Sequence, residues 1–217
     1  MTFKLLFSSL IALLAATGAQ AAFILPSWTR PANDAQALAD KTTYQHWDLF
    51  QSTTSNAPDV APEVNPNGLA NAFDSAAPGS GSFITGNIYS FSGVIKPRAV
   101  VPGYNVSGNT LTVLAQLQSW GNAIDTGDIK VNGVDATTLP GYSYTALSST
   151  NDPQGLIVQH AWTFQVPDAA SIQIDWGWGV TSSSFTELIV DTRSVPEPAG
   201  LGVALLAGAG ILFRRNR

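Results

Sequence analysis

In the second half of this chain the apolar residues recur at every second position. Leu111, Val113, Ala115 and Leu117 share one side of an extended segment, while Thr112, Gln116 and Gln118 occupy the other and Leu114 breaks the alternation. Only a pleated strand places positions i, i+2 and i+4 on a common face. The pattern returns at Leu156, Val158, Trp162, Phe164 and Val166 against Gln159, Thr163 and Gln165. It returns again at Ile172, Ile174, Trp176 and Trp178 against Ser171, Gln173, Asp175 and Gly177. Gly, Pro, Asn and Ser separate the runs, as expected of strands joined by turns. Asn132-Gly133, between Val131 and Val134, is a two-residue hairpin signal because both residue types tolerate positive φ. Segments at 83–91, 98–101, 142–147 and 185–190 bring the count to eight or nine strands with no helical period between them. The expected fold is all-β, an antiparallel β-sandwich with jelly-roll-like connectivity.

The part ahead of these strands reads differently. Residues 34–41 suit one short helix, and Tyr44, Trp47, Leu49 and Phe50 form an aromatic cluster expected to dock on the sandwich as a strand. Residues 52–82 are rich in Ser, Asn, Pro, Gly and Ala and have no sustained period. So long an unpatterned stretch is unusual inside a domain and predicts a long surface or binding loop. No internal repeat occurs.

The two ends are not part of that pattern. Lys4 precedes an apolar run at 5–16 broken only by Ser8 and Ser9, and Ala19-Gln20-Ala21 follows. This is the order of a secretory signal, with cleavage expected between Ala21 and Ala22. The run is too short to cross a hydrocarbon core of about 30 Å as a helix. Residues 1–21 are therefore read as a signal peptide that uses the Sec translocon and signal peptidase. At the other end Val195-Pro196-Glu197-Pro198 leads into the uncharged stretch 199–213 and then Arg214, Arg215, Asn216 and Arg217. Fifteen residues make a helix of about 22 Å, a short transmembrane segment. Pro198 suits its first turn, and the arginines should remain cytoplasmic and stop transfer.

Pro-Glu-Pro, a short apolar helix and an Arg-rich end, in that order over 195–217, resemble the PEP-CTERM sorting signal of exported Gram-negative bacterial proteins. The resemblance implies recognition by an exosortase, removal of the tail, and delivery to the cell envelope or extracellular matrix after a transient stay in the inner membrane. Proteins with this tail usually come from bacteria that make exopolysaccharide and form biofilm. The aromatic stretch 44–50, the Asn-Pro-rich loop and the segment Gly-Asn-Ile-Tyr-Ser-Phe-Ser (86–92) are similar to segments of other proteins with the same tail, and bring no activity with them.

Between the two ends lies a body, residues 22–194, with six basic and fourteen acidic residues, a net charge of −8 against −5 for the whole chain. Affinity for nucleic acid comes from clustered Lys and Arg, so this balance argues against such a partner. It also favours solubility and keeps the body off anionic membranes. The chain has no cysteine, which excludes disulfides, thiolate metal sites and cysteine nucleophiles.

Catalytic chemistry has little to stand on. There are two histidines. His160 shares the apolar face of its strand and reads as a hydrogen-bonded core residue, and His46 has no partner at metal-ligand spacing. No nucleophile elbow, phosphate-binding loop or zinc-protease motif occurs. A glycosidase needs two carboxylates across a groove, and Asp175 and Glu187, on neighbouring predicted strands, are the pair that fits. Asp125, Asp128 and Asp135 sit in adjacent loops that can hold Ca²⁺, although turn-forming Asp accounts for them equally. Six tryptophans are many for 217 residues. Trp162, Trp176 and Trp178 fit the core. Trp120, beside Gly121 and Asn122 at a strand end, is the leading candidate for stacking on a sugar ring, followed by Trp28 and Trp47. The function expected is that of a non-enzymatic matrix or surface protein that associates with exopolysaccharide and needs no cofactor. The alternatives are a glycan-active enzyme using Asp175 and Glu187, and an adhesin for a protein partner.

Overall fold

The computed structural model describes residues 23–153 and 155–197. The signal segment with Ala19, Ala21 and Ala22, and the tail from Pro198 through 199–213 to Arg214, Arg215 and Arg217, lie outside the described residues. Among the described residues no helix is long and apolar enough to cross a membrane.

The alternating runs become antiparallel strands in two sheets. The larger sheet contains β1 (Thr42–Trp47), β3 (Phe83–Ile84), β4 (Ile88–Ser90), β6 (Asn109–Gly121), β9 (Ser143–Asp152), β10 (Gly155–Pro167) and β12 (Ser183–Pro196). Its order is β3-β4-β12-β6-β10-β9, and β1 also pairs with β12. The edge of β12 is shared: Ser183 to Phe185 pair with β4, and Leu188 to Arg193 pair with β1. The smaller sheet runs β2-β5-β11-β7-β8, from β2 (Asn71–Asp74), β5 (Pro97–Pro102), β7 (Ile129–Val131), β8 (Val134–Asp135) and β11 (Ser171–Trp176).

One apolar cluster joins the inner faces of both sheets. Leu111, Val113, Ala115 and Leu117 of β6, with Trp162, Phe164 and Val166 of β10, meet Ile172, Ile174 and Trp176 of β11 and Ala99 and Val101 of β5. Trp162 and Trp176 touch edge to face across the layers, with centroids 6.1 Å apart. Trp178 is also fully buried, so all three tryptophans expected inside are there. The Asn132-Gly133 hairpin forms as expected, with φ of 50° and 80°, the positive values that match the twist of flanking strands. The predicted helix is α1 (Asp34–Asp40), capped by the Asn33 side chain and ended by Lys41 in the left-handed region.

The loop expected at 52–82 contains β2, whose four residues carry too little alternation to be visible. Polar side chains hold the rest. The Asn56 carboxamide accepts from the amides of Gln51 and Ser52 and donates to the carbonyls of Ser52 and Ala72. The Asp74 carboxylate accepts from the amides of Ala76 and Lys96 and from the Ser80 hydroxyl. Such networks order a backbone without any apolar period, so pattern reading passes over them.

Two segments add to the sequence reading. β12 does not stop at 194: Val195 and Pro196 pair with Thr110 and Asn109, and the Glu197 amide donates to the Gly108 carbonyl at 3.1 Å. The first residues of the tail motif are thus the end of a strand. Residues 23–31, which carried no pattern, lie over the outer face of the larger sheet. Ile24 exchanges two hydrogen bonds with the Gln116 carboxamide, at 2.8 and 2.9 Å. Arg30 donates twice to Asp191, both at 2.7 Å.

Candidate functional site

Parity fixes what each strand shows to solvent. Ser119 turns inward, where its hydroxyl meets His160, so Trp120 turns outward. Phe185 and Ile88 turn inward, so Ser184 and Tyr89 turn outward. Because Trp120 pairs with Ser184, Ser184 with Tyr89, and Tyr89 with Phe83, these side chains stand in one row across four strands. Phe91, two residues after Tyr89, continues the same face.

The row forms an open cleft of about 550 Å³. Phe83, Tyr89 and Phe91 pack on one another along one side: Tyr89 and Phe91 meet edge to face at 4.6 Å, and Phe83 and Phe91 stack at 5.7 Å. Phe91 is 67% exposed, far more than a ring needs to be for packing alone. Trp120 and Gly121 line the cleft with them. The Trp120 Nε1 atom is shielded from solvent and has no partner, so the exposed part of this side chain is ring carbon, a stacking surface. Gly121 holds φ of +111°, and a Cβ there would stand 2.4 Å from the Ser182 carbonyl oxygen. The close approach of β12 to β6 at the cleft therefore requires glycine.

Polar groups complete the lining. Thr85, Asn87, Ser182 and Ser184 border the rings. Ser182 is used by the protein, donating to the Phe91 carbonyl. Thr85, Asn87 and Ser184 make no side-chain hydrogen bond with the described residues; Thr85 is exposed and Asn87 half-buried, so a hydroxyl and a carboxamide stand ready for a ligand, while Ser184 is buried beneath the rings at 3% exposure. None of the lining residues carries a charge at neutral pH.

Of the tryptophans singled out from the sequence, Trp120 is in this cleft. Trp47 is not: it is fully buried in the core, its indole N–H donating to the Asn56 carbonyl at 3.0 Å, so it cannot meet a sugar. Trp28 lies apart, in a smaller recess of about 350 Å³ with Thr29, Asp40, Thr42 and Arg193. The sequence reading missed Phe83, Tyr89 and Phe91. Their signal was the i, i+2 spacing of Tyr89 and Phe91, which puts two rings on one face of a short strand.

The carboxylate pair expected for hydrolysis is not assembled. Asp175 belongs to the smaller sheet and Glu187 to the larger, and each points out from the shared core, so they occupy opposite outer faces. Asp175 is held by Arg98 at 2.5 Å and by Gln173 at 2.6 Å. Glu187 accepts from His46 Nε2 at 2.7 Å, and the Tyr44 hydroxyl lies 3.1 Å from His46 Nδ1. The three aspartates considered for Ca²⁺ do not converge either. Asp135 caps a short 3-10 turn through Thr137, while Asp125 accepts from the Gly127 amide. Among the described residues no group of three or more His, Asp or Glu is placed to hold a metal ion.

His160 is the buried residue its strand parity implies, with the Tyr144 and Ser119 hydroxyls at its two ring nitrogens. Burial lowers its pKa from 6.5 to about 4. The unfolded chain therefore takes up a proton that the folded protein refuses between those two values. Stability from this group is complete above pH 6.5 and falls as the pH drops toward 4, by about 3 kcal/mol at 1.36 kcal/mol per pKa unit. In urea melts at pH 7 and pH 4, His160→Gln should lose clearly less stability than the parent; equal losses would refute this assignment.

Comparison with known protein families, with characterised proteins and with solved structures finds no match for this chain.

Proposed function

We propose that this is an exported, non-catalytic glycan-binding protein, a two-layer β-sandwich that holds polysaccharide in its aromatic cleft at the cell surface or in the extracellular matrix. The observation that carries the reading is the combination of exposed rings with unsatisfied neutral hydrogen-bonding groups in one open groove. A pyranose ring has C–H faces that pack on an aromatic plane and a rim of hydroxyls that need donors and acceptors. Phe91 and Trp120 offer the first, and Thr85 and Asn87 offer the second. The glycosidase alternative loses its support, since Asp175 and Glu187 lie on opposite faces. Export rests on the signal at 1–21, and sorting by an exosortase rests on the tail at 195–217.

Trp120→Ala is expected to weaken retention on the producing organism's exopolysaccharide by about tenfold or more, or 1.4 kcal/mol, with an unchanged melting temperature. Trp120→Phe should keep most of the affinity. Retention undiminished in the alanine variant, or no binding to any polysaccharide, overturns the proposal, and capture of an apolar peptide in the cleft instead would make the protein an adhesin. The sorting claim has its own test: deleting the exosortase should leave the longer chain in the membrane fraction, and an unchanged size and location would refute it.

A further inference from the structure

We infer that the cleft is built for the interior of a neutral, uncharged polysaccharide chain lying across the strands, an inference that rests on the glycan-binding reading above. The first observation is length. The Phe83–Tyr89–Ser184–Trp120 row does not end at Trp120: Ile157 pairs with Trp120 and Thr150 with Ile157, both on the same outer face. Six residues on six adjacent strands, at about 4.8 Å per strand, span about 24 Å. Thr150 stands exposed on the edge strand β9, and Phe83 stands on the opposite edge strand β3. The row is therefore open at both ends, which suits a chain entering and leaving rather than a terminal sugar seated in a closed pocket.

The second observation is charge. No Lys, Arg, Asp or Glu lines the cleft. The neighbouring row, one step along the strands, carries neutral side chains on four strands: Ser148 donates to Gln159, Gln159 to Gln118, and Gln118 to Thr186, each at 3.1 Å. The charge next to it is an anion, Glu187, the register partner of Gln118, which His46 already holds. A uronate or sulfate placed on this surface would lose water without gaining a cation, a net cost. The body's net charge of −8 adds long-range repulsion. A neutral hexose polymer meets neither penalty, and its hydroxyls match the hydroxyl and amide groups present.

The test uses the mature protein with a neutral β-glucan and a galactomannan against alginate and polygalacturonate, and with β-glucan oligosaccharides of increasing length. The expected results are tighter binding of a neutral polymer than of either uronate polymer by about tenfold or more, little change between low and high salt, and affinity that rises well beyond the disaccharide. Ile157→Ala should remove part of that gain with length. Equal or better binding of the uronate polymers, or steep salt dependence, overturns the neutral class while leaving glycan binding intact. Affinity that is flat with length overturns the extended row. Failure to bind any of the polymers overturns the glycan-binding reading itself.

Discussion

Replacing Arg30 by alanine is expected to destabilise the protein by about 3 to 5 kcal/mol, the range for removing one member of a buried ion pair. The Asp191 carboxylate is fully buried, and Arg30 meets it with two parallel hydrogen bonds while lying 4.3 Å over the Tyr44 ring. Burial pushes the Asp191 carboxyl above its ordinary pKa, and the bonds and charge of Arg30 oppose that push. Arg30 shows the complement: burial pulls its pKa down, but the bond to Asp191 and its charge more than compensate, and the net shift is upward. Without the guanidinium, Asp191 must stay charged without a partner or take a proton and keep one oxygen unsatisfied. Replacing both members, Arg30→Met with Asp191→Leu, should recover much of the loss, because the desolvation cost disappears with the charges. Urea denaturation of the parent, the single and the double variant provides the measurement. A single variant within about 1 kcal/mol of the parent, the range of an exposed pair, would show that the pair is effectively solvated.

Trp162→Ala is expected to cost a similar amount, about 3 to 5 kcal/mol, through a different mechanism. Its side chain is fully buried between the layers, beside the His160 and Tyr144 rings on its own sheet and Trp176 on the other. Its indole N–H also donates to the Thr126 carbonyl at 3.3 Å. Removing it leaves a void bordered by strands that cannot collapse independently, since β10 is fixed on both sides by β6 and β9. Trp162→Phe should cost less by retaining most of the contact area. A thermal or urea transition displaced by only a few tenths of a kcal/mol would mean that the layers close around the void. Because Trp162 faces the core and Trp120 the cleft, the alanine variants of the two should separate stability from binding.

The long strands were readable because alternation over several residues leaves no other placement for the side chains. β6, β10 and β11 each bury the predicted face, and the Asn132-Gly133 turn follows from two residues that tolerate positive φ. The same parity placed His160 inside, whereas Trp120 stood out by its place beside Gly121 and Asn122 at a strand end. Strand order was not readable, since alternation identifies a face and not a neighbour: β11 and β12 are consecutive in the chain yet lie in different sheets. That is why Asp175 and Glu187 looked like partners and are not. Trp47 was misread for a related reason. Its burial comes from the pairing of β1 with β12, a contact between segments far apart in the chain. The cleft was half legible, because its rings come from a short strand pair, β3 and β4, whose brief runs carry almost no periodic signal.

The contact between Arg30 and Asp191 joins positions 161 residues apart, and β1 likewise waits for β12 as its pairing partner. A ribosome delivers the first of these partners long before the second. The larger sheet therefore cannot close while the chain is still being made, and a product truncated before residue 183 would lack its central strand. Assembly of this kind, dominated by distant pairings, is slow, and its last step waits for the strand that is made last.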